Sequence, residues 1–342
     1  MNKPKDNLKI NHSSAVKGRI GILGLAASKS MLKVNNLNKL KSKGLTEKEA
    51  EELLKTVSYH QICYEQFLKI QGLEVVHLNY HSEKGEIACA MDSIDGVLLT
   101  GGGYFWPHES TTINSLEYFK VITPRNEPYL DYIKEIMDKA KSINDNGRHF
   151  PIFAICLGFE GILLAESDFA YPIAHVKHWD CNRKIKLKEG DSKLKCVLTD
   201  NQIKNMTTKD LLYFYHSLGF TEAMFHDYKS LTDNYDITAT VSIGDYGSCI
   251  ASFEHKKYPF FGTQYHPEKN MFDYGTDFNP NHSDEAYQLG LSLSKLCIPK
   301  SVLNTKKDIQ SDLYQSIVNI KERKTTIIAV SKDPRVKLLN GD

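Results

Sequence analysis

The 342 residues have almost no net charge, no apolar run long enough to cross a membrane, and no paired-cysteine motif. Forty-three Lys and Arg against 42 Asp and Glu leave a formal charge of +1. No whole-protein field therefore draws the chain to nucleic acid, anionic lipid or acidic partners. Short basic runs at 39–43 and 184–188 read as solvated faces. The seven cysteines, at 63, 89, 156, 181, 196, 249 and 297, form no CxxC pair and have no histidine partners at zinc spacing, which argues against a structural metal site. Their odd number fits a reducing compartment, or up to three disulfides with one thiol left over. There is no internal repeat and no low-complexity domain. The first residues, MNKPKDNLKINHSS, are polar, and the apolar run at 20–27 is short and alternates like a first strand. No signal peptide is read there.

What is present is a 41% hydrophobic composition on a chain long enough to bury a full core. The expected organisation is a flexible arm at 1–17, one domain at 18–298 and an extension at 299–342. Residues 19–26 read as a first buried strand, and the Lys- and Asn-rich stretch 28–44 as an exposed loop or insertion. Thr46 with Glu49 has capping-box spacing and opens a helix whose stripe is Ala50, Leu53, Leu54 and Val57. A second helical pattern covers 59–70, its aromatics read as core packing. Residues 73–78 and 94–100 follow as strands, 104–127 as an irregular aromatic loop, and 130–143 as a helix. Strands at 236–241, 248–254 and 260–264, a polar loop at 269–283 and a helix at 285–297 complete the domain. The extension has a helical pattern at 309–320 and a β-prone run at 325–330 with no readable role. Strands alternating with helices imply an α/β domain, a parallel sheet with helices on both faces.

The stretch 150–165, FPIFAICLGFEGILLA, carries the sharpest chemical signal. Its first half is a short apolar run bounded by Pro151, the pattern of a buried strand. Its second half shifts to helical spacing at Phe159, Ile162 and Leu163, with Gly158 and Gly161 permitting close packing. Cys156 sits at the join, where the free N–H groups and dipole of the helix are expected to favour a thiolate. A nucleophilic cysteine needs a base and a group to orient that base. His266, at the end of a predicted strand, has Pro267 and then Glu268 after it, a spacing that lets the carboxylate hold the imidazole in one tautomer. The strand at 94–100 runs into Gly101, Gly102 and Gly103, which can bring backbone N–H groups to a ligand. They form no Walker loop, because no Gly-Lys-Ser/Thr follows, and no dinucleotide fingerprint, because no helix opens in register.

The GGG after a buried strand, ICLGFEGILLA around Cys156 and TQYHPEKNMF around His266 together resemble the class I glutamine amidotransferase-like fold, a flavodoxin-like, mainly parallel sheet with helices on both faces. Within it the resemblance is closest to the γ-glutamyl hydrolase family, folate polyglutamate peptidases. The Phe159-Glu160 continuation and the extended HPEKN motif are the specific parts. The resemblance runs from about 19 to 297, with extra residues near 28–50 and 105–127. It implies Cys156 as nucleophile, His266 as acid/base and Glu268 as its orienting carboxylate. It also implies an oxyanion hole from the Leu157 N–H with that of Gly102 or Gly103. His216, in a Tyr-His stretch similar to the family's Phe-His segment, and Glu160 become substrate-site candidates; the alternatives are a hydrogen-bonded core histidine and a helix cap. The resemblance implies no metal or organic cofactor, a small-molecule γ-glutamyl peptide or folate polyglutamate as substrate, and leaves a homodimer open. It implies a lysosomal, vacuolar or extracellular setting, whereas the missing signal peptide leaves a cytoplasmic one open. Two departures stand out, Ala154 where such corners carry glycine and Tyr265 where the family carries tryptophan. Two other readings stay in play: a glutaminase passing ammonia to a synthase, and a catalytically silent relative that binds γ-glutamyl compounds.

Overall fold

Strands that are apolar at every position, rather than at alternate ones, are buried on both faces, and such strands build the centre of this protein. A computed structural model describes residues 18–26, 38, 40–102, 108–113, 116–121, 128–168, 173–274, 278–300 and 327–331. Expectations placed on 1–17, on most of 28–39, on Gly103 and on 309–320 lie outside the described residues.

In chain order the strands are β1 (Arg19–Leu23), β2 (Leu25–Ala26), β3 (Ser58–Gln61), β4 (Glu74–Leu78) and β5 (Gly96–Leu99). They continue with β6 (His108–Ile113), β7 (Leu116–Val121), β8 (Ile152–Ile155), β9 (Ile173–Arg183) and β10 (Lys186–Leu187). The last are β11 (Leu212–Gly219), β12 (Tyr235–Ser242), β13 (Ser248–His255), β14 (Phe260–Thr263) and β15 (Ile327–Val330). The main sheet has the order β10-β12-β13-β14-β8-β5-β1-β4 among the described residues. Pairings from β14 through β8, β5 and β1 to β4 are parallel, and those among β10, β12, β13 and β14 antiparallel. The expected mainly parallel sheet is therefore present.

Period-two alternation sorts each central strand between two cores. In β8, Ile152 and Ala154 join the cluster under the helices Pro128–Asp145 and Leu157–Glu166, while Phe153 and Ile155 join the cluster under Ile62–Lys69 and Asp284–Leu293. Phe153 stacks between Phe67 and Phe261 at 5.9 and 5.5 Å. Helices thus cover both faces, and the carboxyl ends of β5, β8 and β14 open on one rim, where open α/β sheets hold ligands.

The capping box forms as expected: Thr46 Oγ1 accepts from the Glu49 N–H, and Glu49 Oε2 from the Thr46 N–H at 2.8 Å. Three local expectations are corrected, two of them by strand pairing and one by a helix that a proline opens. The helix expected over 59–70 begins only at Ile62, because Ser58–Gln61 is claimed as β3 by strands on either side. Within the stretch expected to be an irregular loop at 104–127, β6 and β7 form a hairpin, His108 opposite Val121, and β7 joins β9 and β11 in a second, antiparallel sheet. The polar loop expected from 269 is preceded and partly replaced by a helix, Pro267–Phe272, which Pro267 opens at its first turn. The β-prone run of the extension becomes β15 and pairs antiparallel with β3.

Close packing of the helix Leu157–Glu166 on β5 requires Gly158, where a Cβ would lie 2.5 Å from Leu99 Cβ and 2.6 Å from the Leu99 carbonyl oxygen. Gly158→Ala is expected to lower stability by about 1–3 kcal/mol, the usual cost of overpacking, read as a shifted urea midpoint at constant slope.

Candidate active site

The chain leaves β8 with Ile155 and turns within one residue into the helix Leu157–Glu166, and Cys156 takes the strain of that turn at φ 51°, ψ −103°. A non-glycine residue held in so unfavourable a conformation is typical of a functional corner. Backbone bonds lock it from three sides: the Cys156 N–H donates to Thr263 O at 2.8 Å, the Gly158 N–H to Thr100 O at 3.1 Å, and the Glu160 N–H to Cys156 O at 2.9 Å. The corner is thereby tied to β14, to the end of β5 and to its own helix.

His266 follows β14, its N–H bonded to Tyr213 O at 2.8 Å. Glu268 lies two residues on, in the first turn of the next helix, and its Oε1 is 2.7 Å from His266 Nδ1. With Nδ1–H donated to the carboxylate, the lone pair belongs to Nε2, which is buried and has no hydrogen-bond partner. The two halves of the site meet across Gly101. A methyl group there would lie 2.6 Å from His266 Cε1 and 3.1 Å from Cys156 Cβ, so both side chains reach the same backbone point.

The electrostatics correct one expectation. Rather than favouring the thiolate, the surroundings push the Cys156 thiol well above its ordinary pKa. Burial is the main cause, followed by the Glu160 and Glu268 carboxyls, while the Leu157 N–H and Lys269 pull the other way without prevailing. The helix N-terminus is real, but desolvation of a small anion outweighs it. Glu160 is itself pushed up to about 8 by burial, opposed by a 3.0 Å bond from Gln264 Nε2 to its Oε1. At neutral pH it is a carboxylic acid, and the repulsion it exerts on a thiolate is correspondingly relieved.

Leu157, at the first position of the helix, has its backbone N–H beside the sulfur. Gly102 is exposed at the rim, with the site of its missing Cβ 3.4 Å from Leu157 Cδ2 and 2.3 Å from Leu25 Cδ1. Gly103 is outside the described residues. His216 sits on β11 opposite His178 of β9, their rings 5.2 Å apart. Its Nδ1 bonds Leu218 O, and its Nε2 is buried without a partner. Burial, then His178, lower its pKa to about 3, so the ring is neutral.

Two further residues belong to the site. Tyr64, read from the sequence as core, accepts the Gly101 N–H at 2.9 Å, and burial together with Glu268 raises its pKa well above normal. Lys269 is buried and paired to Asp273 at 2.6 Å, with a 3.1 Å bond to Gln61 Oε1. Burial works against its ammonium, but Cys63, Asp273 and Glu268 hold its pKa above the ordinary lysine value. The HPEKN motif contained Lys269; nothing in local sequence pointed to Tyr64. From His266 outward, Tyr213, Tyr215 and Trp179 form a ladder of rings at 6.3, 6.3 and 4.0 Å, ending on Trp179 at 58% exposure.

A largely parallel sheet flanked by helices, with a cysteine corner and a His-Glu pair at neighbouring strand ends, defines a class. The glutamine amidotransferase class-I family profile matches residues 55–285, and the chain belongs to that family. Among curated proteins it is similar to γ-glutamyl hydrolase 1 of Arabidopsis thaliana, 27% identical over 244 residues that make up 68% of this chain and 62% of that one. γ-Glutamyl hydrolase 2 of the same plant is 28% identical over 64% of this chain and 58% of its own. The γ-glutamyl hydrolase of Rattus norvegicus is 24% identical over 72% of each chain. The aligned part thus spans about three fifths of the length of the plant relatives.

Glu160 yields a stability test. A carboxyl that stays protonated to about 8 when folded, but ionises near 4.5 when unfolded, binds the extra proton in the native state. The wild type therefore loses stability progressively as pH rises from about 4.5 to 8. Glu160→Gln keeps the bond to Gln264 without the ionisation, and is expected to gain roughly 2–4 kcal/mol on the wild type across that window, none of it below pH 4.5. Urea unfolding of both proteins at a series of pH values measures it; a pH-independent difference contradicts the assignment.

Proposed function

We propose that this protein hydrolyses γ-glutamyl amide bonds, in folate poly-γ-glutamates, through a thioester on Cys156. The observation that carries this reading is the meeting of Cys156 and His266 across Gly101, with His266 oriented by Glu268. The likeness to γ-glutamyl hydrolases of plants and a mammal supplies the bond that is cleaved.

Because the resting thiol is held neutral, the first step couples proton transfer to attack. His266 Nε2 takes the Cys156 proton as the sulfur adds to the γ-carbonyl carbon, and the Leu157 and Gly102 N–H groups receive the oxyanion. Collapse expels the amine, which takes the proton from His266 and leaves the acyl group on sulfur. Water then adds to the thioester while His266 Nε2 accepts one of its protons, and that proton returns to sulfur to restore the thiol as the γ-carboxylic acid departs and gives its own proton to solvent. Glu268 keeps Nδ1 as the donor throughout and stabilises the imidazolium formed in each half-reaction. His216, neutral, and Glu160, protonated, meet substrate as uncharged hydrogen-bonding groups. The ring ladder ending on exposed Trp179 supports a substrate that carries a planar aromatic group.

Incubation with pteroylpolyglutamate, γ-glutamyl peptides and glutamine, with released glutamate measured, tests the reading. Cys156→Ala is expected to lower kcat by at least about 10⁴-fold; activity that survives it sinks the mechanism, and turnover of glutamine alone favours a glutaminase. Trp179→Ala is expected to raise KM about 3- to 10-fold for the pteroyl substrate and leave kcat and unmodified γ-glutamyl peptides unaffected. An equal effect on both substrates removes the aromatic subsite.

A further inference from the structure

The small sheet β15-β3-β2 stands outside the arrangement the family match accounts for. The match covers 55–285, so β2 and β15 lie beyond it on either side, and only β3 falls within. Cross-strand register aligns Ala329 of β15 with Tyr59 of β3, and Tyr59 with Leu25 of β2. Residues paired in register point to the same face of a sheet. All three are buried, Ala329 to 4% exposure, in the core cluster that also holds Leu157 and Leu99. The row ends at the rim of the site, where Leu25 Cδ1 lies 2.3 Å from the missing Cβ of Gly102.

A second line runs along β3 itself. Gln61, opposite Ile327, lies on the same face as Tyr59, and its Oε1 accepts from buried Lys269 Nζ at 3.1 Å. Lys269 stands in the helix that begins immediately after His266. The far end of β15 is fastened by Ser331, whose Oγ is 2.8 Å from Thr56 Oγ1. Four residues of a segment remote in sequence thus complete a sheet that touches both the Gly102 side and the Lys269 side of the site.

We infer that β15 is a positioning element of the active site, an intramolecular strand that sets the Gly102 rim through Tyr59 and Leu25 and the Lys269 helix through Gln61. Without it, β3 becomes an open edge and the row behind Gly102 loses one side of its packing. Since an oxyanion donor acts mainly in the transition state, the loss falls on kcat rather than KM. The inference rests on the hydrolase reading for that kinetic form; for the thiol it rests on Leu157, the residue after Cys156, which shares a core cluster with Leu25, Tyr59 and Ala329.

The test uses the full-length protein and Ala329→Asp, which places a charge in the buried row, with Leu25→Ala as a second variant that loosens the row and leaves β15 in place. Detachment of β15 in Ala329→Asp is verified by faster hydrogen exchange at Tyr59 and Gln61, and retention of the fold by circular dichroism. Two readouts follow: kinetics on γ-glutamyl substrates, and the rate of Cys156 alkylation by iodoacetamide, resolved from the other thiols by mass mapping. Both variants are expected to lose about tenfold in kcat with KM within twofold, and to alkylate Cys156 at least about fivefold faster. Excess synthetic peptide TTIIAVS, matching 325–331, is expected to restore Ala329→Asp by refilling the β3 edge but not Leu25→Ala. Unchanged kcat and unchanged alkylation with β15 detached overturn the inference, as does a loss of activity in Ala329→Asp that the peptide fails to reverse. If alkylation responds and the peptide reverses it, but the wild type cleaves no γ-glutamyl substrate, the positioning role stands and the hydrolase reading falls.

Discussion

The site depends on a position where no side chain fits. Gly101 ends the run from β5, and the point its Cβ would occupy is already taken by His266 Cε1, the Tyr64 hydroxyl and, slightly farther off, Cys156 Cβ. Three strand ends converge there because β8 is paired to β5 on one side and β14 on the other, all parallel, so their carboxyl ends open together. The sheet register decides how far each strand projects, and the glycine lets the projecting groups close on one another. The strained corner at Cys156 is held by bonds to both flanking strands, so the cost of its backbone conformation is met by the sheet rather than by the corner itself.

Burial then sets the chemistry. A thiol on a helix N-terminus in water would lean toward the thiolate, but here desolvation reverses that preference and keeps the proton on sulfur. Catalysis of the proposed kind therefore needs a base at the moment of attack, and the unpartnered Nε2 of His266 is the only ring nitrogen of that residue left for it, since Nδ1 is committed to Glu268. The same desolvation protonates Glu160, removing a charge that would otherwise face the developing thiolate. Lys269 is the exception: its charge survives burial because Asp273 and Glu268 compensate it.

The main sheet, the cysteine corner and the His266-Glu268 pair were legible because each is written in a short window. A continuous apolar run gives way to period 3.6 at Cys156, and the two-residue spacing of His266 and Glu268 brings the carboxylate back to the ring. The capping box at Thr46 and Glu49 is equally local. Residues 59–61 read as the start of a helix, and fall within a strand, Ser58–Gln61, only because Leu25–Ala26 and Ile327–Val330 pair with its two edges. The pairing of β7 with β9 and the role of Tyr64 are hidden for the same reason, since the partners lie on other parts of the chain.

Sequence by itself determined which residues could do chemistry and which strands could be buried, because side-chain type and local period do not depend on distant neighbours. Tertiary structure alone decided that Cys156 stays a thiol, that Glu160 holds its proton, and that the β-prone run near the end of the chain lies behind the rim of the site. Each of those outcomes is set by desolvation or by strand pairing, and both depend on what the rest of the chain brings alongside.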